Sequence, residues 1–128
     1  MIPGIEDFYQ LVASEMVNEI PGPWRQATIE VIYYPKSSDY HGEYVTDSGK
    51  DRSFPMSEAT RLAVDELRRK FQSSGQRVWG QFSFKLLADG TFNVKWGYDN
   101  CLENGDTIWD PDEWERRFNE NYKRLTRP

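Results

Sequence analysis

The residues of this chain best suited to chemistry stand together between positions 99 and 115. That stretch holds seven of the 21 acidic residues (Asp99, Glu103, Asp106, Asp110, Asp112, Glu113 and Glu115), none of the 16 lysines and arginines, and two of the five tryptophans. Carboxylates at such density can chelate a metal, move protons, or present a negative field to a basic partner. A calcium loop beginning at Asp99 would need Asp or Asn at its third and fifth positions and glycine at its sixth. The sequence has Cys101, Glu103 and Asn104 there, so the pattern fails. No glycine-rich phosphate string occurs either. His41 is the lone histidine, with no serine or cysteine at a nucleophile spacing, and Cys101, the lone cysteine, lacks the context of a zinc ligand or a nucleophile. These residues name no catalytic set, no metal site and no cofactor. A small metal-dependent hydrolase built on the acidic cluster is the one enzymatic reading left to test.

Part of the acidity has a purely structural use. Asp110-Pro111-Asp112-Glu113 reads as an N-cap, a proline at the first helical position and acids in the first turn, opening a helix from Pro111 to about Leu125. Asp112 with Arg116 and Glu113 with Arg117 are i,i+4 pairs worth only ~0.3–0.5 kcal/mol each. Asp99, Glu103 and Asp106 have no such local use. With Trp109 as an aromatic anchor, and Asp110 and Asp112 extending the charge, they form a candidate partner-binding surface for a basic protein. Tyr33, Tyr34, Tyr40 and Tyr44 leave a similar choice open, since tyrosines on alternating strand faces serve either the core or an exposed contact site.

The elements that must position these residues follow from periodicity. Between Gly4 and Ile20, the residues Ile5, Phe8, Tyr9, Val12, Met16 and Ile20 make one helical stripe, ended by Pro21-Gly22-Pro23; Leu11 lies off it. Ala27, Ile29, Val31 and Tyr33 alternate against Gln26, Thr28, Glu30 and Ile32 in a strand closed by Pro35, and Tyr40 to Thr46 returns antiparallel beside it, with His41 on the exposed face. "DSGKDRSFP" then reads as a loop. Ser57 caps a second helix running to about Ser73, with Ala63, Val64, Leu67 and Phe71 inward.

Trp79 to Tyr98 is a hairpin whose register is decided by parity. A two-residue Asp89-Gly90 turn would set every apolar residue opposite a polar position. A three-residue Ala88-Asp89-Gly90 loop, with Gly90 left-handed in a G1 bulge, instead pairs Leu86 with Phe92, Phe84 with Val94 and Phe82 with Trp96. Trp114, Phe118, Asn121, Tyr122 and Leu125 share the inward face of the last helix. The order α-β-β-α-β-β-α predicts an α+β domain: an antiparallel four-stranded sheet with helices packed mainly on one face.

At 128 residues the chain fits a single domain spanning 1–128, and 15% aromatic residues supply a core. Its net charge of −5 repels phosphate backbones, which argues against direct nucleic-acid binding and suits either a basic partner or mere solubility. One cysteine allows no intrachain disulfide, "MIPGIEDFYQ" has no signal-peptide pattern, and no apolar run approaches the ~18 residues of a membrane span, so a cytoplasmic address without membrane contact is expected. The sequence leaves oligomeric state open.

The helix "EDFYQLVASEMVNEIPGPW", the strand ending "EVIYYP", the helix "LAVDELRRKFQ" leading into "VWGQFSFKLLADGTFNVKWGYD", and the Trp-bearing last helix together resemble the YezG-like antitoxin or immunity proteins of bacteria. The similarity runs through most of the chain, in order. It implies a non-enzymatic role: such proteins bind and neutralise a toxin domain, often a nuclease, delivered between competing bacteria, as in contact-dependent inhibition, or encoded beside them. No toxin-binding motif transfers residue by residue, so the candidate contacts remain those of the charge layout. The alternative from another class is an adaptor or subunit that binds a neutral partner through exposed aromatic strands.

Overall fold

The computed structural model describes residue 2, residues 4–108, and residues 112, 115 and 116. Helix α1 (Ile5–Glu19) starts after Gly4 and buries Phe8, Val12 and Met16, three residues of the expected stripe. Leu11 is exposed. Strands β1 (Trp24–Tyr33) and β2 (Ser38–Thr46) pair antiparallel, and Ala27, Ile29, Val31 and Tyr33 are the buried side of β1. Helix α2 (Glu58–Ser74) is capped as its sequence requires: the Ser57 hydroxyl accepts a hydrogen bond from the Thr60 amide at 3.1 Å. It buries Val64, Leu67 and Phe71.

Strands β4 (Gln81–Leu87) and β5 (Phe92–Gly97) form the hairpin in the register that parity selects, with Phe82 opposite Trp96, Phe84 opposite Val94 and Leu86 opposite Phe92. Gly90 has φ 92°, the left-handed conformation a G1 bulge needs. Asp89 fastens the turn by accepting from the Thr91 amide at 2.9 Å and the Thr91 hydroxyl at 2.7 Å, bonds that hold its carboxyl below the usual carboxylate range.

The expectation of four strands is corrected: the sheet has five, in the order β3-β2-β1-β4-β5, all antiparallel. The added strand, β3 (Asp51–Phe54), lies inside the segment read as a loop. At a sheet edge only Phe54 of its four residues reaches the core, so no alternation of period two can show. Its ring packs where Gly42 leaves room, a Cβ at 42 standing 2.9 Å from Phe54 Cζ. The described residues contain two helices. The third, expected over 111–125, lies outside the described residues except for Asp112, Glu115 and Arg116, which are helical.

Both helices pack on the same face of the sheet. Phe8 meets Phe82, Tyr9 meets Phe84 and Phe92, and Phe71 meets Trp79 and Trp96, with ring centroids 5.2–6.2 Å apart. Trp79, fully buried, sits at the centre of this aromatic layer against Tyr33, Phe82 and Trp96. Among the described residues no helix is long and apolar enough to cross a membrane.

Candidate functional site

The acidic segment leaves β5 at Gly97 and folds into a closed loop over residues 98–108. Its backbone is nearly self-sufficient. Cys101 and Thr107 form an antiparallel bridge, the Leu102 amide donates to Asp106 O and the Ile108 amide to Asn100 O, both at 2.9 Å, and the Gly105 amide returns to Leu102 O. At the tip Asn104 Oδ1 accepts from the Asp106 amide at 2.9 Å, a local bond that competes with regular structure and favours a turn.

Two side chains, the buried Asn100 and the half-buried Arg68, fasten this loop to the rest of the domain. Asn100, with no exposed surface, donates from Nδ2 to Tyr33 O at 2.9 Å and to Gly80 O at 3.2 Å, tying the loop to the ends of β1 and β4. Only glycine fits at 80, because a Cβ there would overlap Asn100 Oδ1. Arg68 of α2 donates from Nε to Trp79 O at 2.8 Å and from Nη2 to Gly105 O, while its guanidinium lies 4.6 Å from the Tyr33 ring centroid. Cys101 is buried and its thiol donates to Val78 O at 3.2 Å. Burial pushes that thiol above its ordinary value, the opposite of what a nucleophile needs.

What the fold leaves outward is the candidate surface. Asp99, Glu103 and Asp106 are all exposed, on one loop, together with Leu102 at 51% and Ile108 at 48% exposure. Asp112 is exposed and helical, whereas Trp109 and Asp110 lie outside the described residues. Among the described residues no group of three His, Cys, Asp or Glu side chains converges as a metal site would require. The sequence presents this segment as free of cations, but the fold sets two arginines against it, Arg68 at the tip through Gly105 O and Arg77 at the base. Arg68 acts through the bonds above, and the guanidinium of Arg77 lies 4.5 Å from the Tyr98 ring centroid. Glu103 and Asp106, at the tip, are the far end of the loop from Tyr98.

The tyrosine question resolves toward the core. Tyr33, Tyr34 and Tyr44 are 8–9% exposed and Tyr40 is half-buried, so the strands do not offer the aromatic surface that an adaptor reading requires of them. Tyr33 and Tyr40 both donate to the Asp65 carboxylate, at 2.6 and 2.8 Å, joining α2 to β1 and β2. Burial, with Asp65 reinforcing it, raises both phenols above the ordinary tyrosine value. Asp65, Arg68 and Asn100 were not legible as a group: the hydrogen bonds that join them to their partners span 11 to 67 positions of sequence. The two exposed aliphatic side chains of the acidic loop were equally silent, since no periodicity marks Leu102 or Ile108.

Comparison with known proteins bears on what such a surface is for. No curated protein matches the chain. A protein-family model, immunity protein YezG-like, matches residues 5–127, and the chain therefore belongs to the YezG-like immunity protein family.

Proposed function

We propose that this protein binds and neutralises a cognate toxin domain, a basic nuclease delivered between competing bacteria, and that it acts in the cytoplasm without catalysis or cofactor. The observation that carries the reading is the loop 98–108: a backbone held by Asn100 and Arg68 that exposes Asp99, Glu103 and Asp106 together with Leu102 and Ile108. Exposed aliphatic side chains on the same loop as exposed carboxylates suit a surface that must find a cationic partner quickly and hold it after water is expelled. A nuclease domain is commonly basic where it meets nucleic acid, so an acidic loop docking there would both occlude that surface and be steered to it. The adjoining Trp109, Asp110 and Asp112 extend the same contact in this proposal.

The test is protection. Cells expressing the toxin domain encoded beside this gene should survive when the wild-type protein is co-expressed. The Asp99→Asn, Glu103→Gln, Asp106→Asn triple variant should bind that domain at least tenfold more weakly, with a shallower dependence on salt. Equal affinity and an equal salt slope would remove the loop from the account. Absence of protection by the wild-type protein would remove the immunity reading itself.

A further inference from the structure

The helices cover one face of the sheet, and among the described residues nothing covers the other. Its side chains follow from the register: Gln26, Thr28, Glu30 and Ile32 on β1; Asp39, His41, Glu43 and Val45 on β2; Asp51 and Ser53 on β3; Gln81, Ser83, Lys85 and Leu87 on β4; Asn93, Lys95 and Gly97 on β5. Antiparallel sheets commonly leave one face in water, so bareness alone carries nothing. The charge on this face is sorted by strand, however. Glu30, Asp39, Glu43 and Asp51 occupy β1 to β3, and the lysines of the face, Lys85 and Lys95, occupy β4 and β5. Arg52 points to the opposite face, being paired with Tyr44, and Lys50 lies in the turn before β3. Glu43 is 2.7 Å from His41, while Glu30, Asp39 and Asp51 form no ion pair with a described residue.

At the boundary between the two halves lies a depression of about 460 Å³, with Glu30 on one side, Lys95 on the other, Ser83 between them, and Ile32, Gln81 and the side-chain-free Gly97 in the next row. An uncharged hollow flanked by charges of opposite sign gives a partner both a seat and a direction. Size also argues for a second surface. A stable interface takes ~20–30 residues from each side, and the acidic loop alone falls well short of that. The loop is fastened to the sheet end where Ile32 and Gln81 stand, since Asn100 bonds Tyr33 O and Gly80 O, so the two surfaces share a border.

We propose that the open face of the sheet is a docking surface for a basic protein element: its cationic side chains lie over the acidic half formed by β1 to β3, and Lys85 and Lys95 fix its orientation by excluding cations from β4 and β5. This rests on the immunity reading, and the occupant is the same toxin domain, now required to be basic over an area wider than one loop.

The experiment measures affinity for that toxin domain by titration calorimetry, using wild-type protein, the Glu30→Lys/Glu43→Lys variant, its isosteric counterpart Glu30→Gln/Glu43→Gln, and Lys85→Gln/Lys95→Gln. All four positions are exposed, and unchanged circular dichroism confirms folding; the Gln pair serves if the Lys pair does not fold. Expected are a loss of at least tenfold for the Lys pair, at least threefold for the Gln pair, and less than threefold for the neutralised lysines. Wild-type affinity in both glutamate variants overturns the docking surface while leaving the immunity reading standing, and equal losses on both halves overturn the orientation. Should the wild-type protein bind no toxin domain, the immunity reading fails separately. Amide shifts on titration with nona-arginine then decide the surface, which needs perturbation at residues 30, 39, 43 and 51 and is overturned by shifts confined to 99–106 or by none.

Discussion

Asn100 is the residue on which the candidate loop most depends. Its amide donates to two main-chain carbonyls in a place no solvent reaches, so truncation takes the Asn100 donor from Tyr33 O and leaves Gly80 O with the Tyr33 amide alone. Asn100→Ala is expected to destabilise the protein by about 2–3 kcal/mol, read as a lower urea midpoint at unchanged slope. Tyr33 carries a different signature. Its phenol is raised well above the ordinary value of 10.0 by burial first and by the Asp65 bond second. An unfolded chain sheds this proton near pH 10 and the folded chain keeps it, so the unfolded state binds fewer protons there. The stability due to Tyr33 is therefore complete below about pH 10 and is lost as pH rises beyond it. Tyr33→Phe should flatten that alkaline decline of the melting temperature while lowering stability at pH 7 by ~1 kcal/mol through loss of the hydrogen bond. An alkaline limb identical in both proteins would show that another group sets it.

The β4–β5 hairpin delivers the chain into the acidic loop, and its turn sets which way every following side chain faces. Gly90 at φ 92° holds the three-residue loop, so Gly90→Ala should cost ~1–2 kcal/mol in thermal or urea unfolding, whereas Ala88→Gly in the same turn should cost less than half as much. This hairpin was fully legible in the sequence because two local constraints, alternation and turn length, must agree. Both described helices were legible for a related reason: a stripe of apolar residues and a cap lie within one short window. β3 was not, because an edge strand with a single inward residue has no pattern to display, and Phe54 is explained only by Gly42 across the sheet. The acidic loop was legible as charge but not as architecture. Nothing near residue 105 announces that Arg68 of α2 reaches its carbonyl, or that the loop's exposed surface includes two aliphatic side chains.

At the scale of the whole molecule, the charge of −5 is distributed with purpose in this account. Acids collect on the exposed side of the loop and on one half of the bare sheet face, while Arg68 and Arg77 brace the loop and lysines stand on the other half of the sheet. The helical side carries the aromatic core and leaves the tyrosines of β1 and β2 little exposure. Such a layout steers a basic partner and orients it on arrival, and surface attraction of this kind weakens as salt screens it. Family membership supplies the immunity role, and the charge layout supplies the proposed manner of performing it. The most direct measurement is the affinity of the wild-type protein for its proposed toxin partner, taken at low and at high salt. The account expects a dissociation constant of about 10⁻⁷ M or tighter at ~50 mM salt, rising at least tenfold by ~500 mM. Tight binding that is indifferent to salt would contradict it, and so would no binding at all.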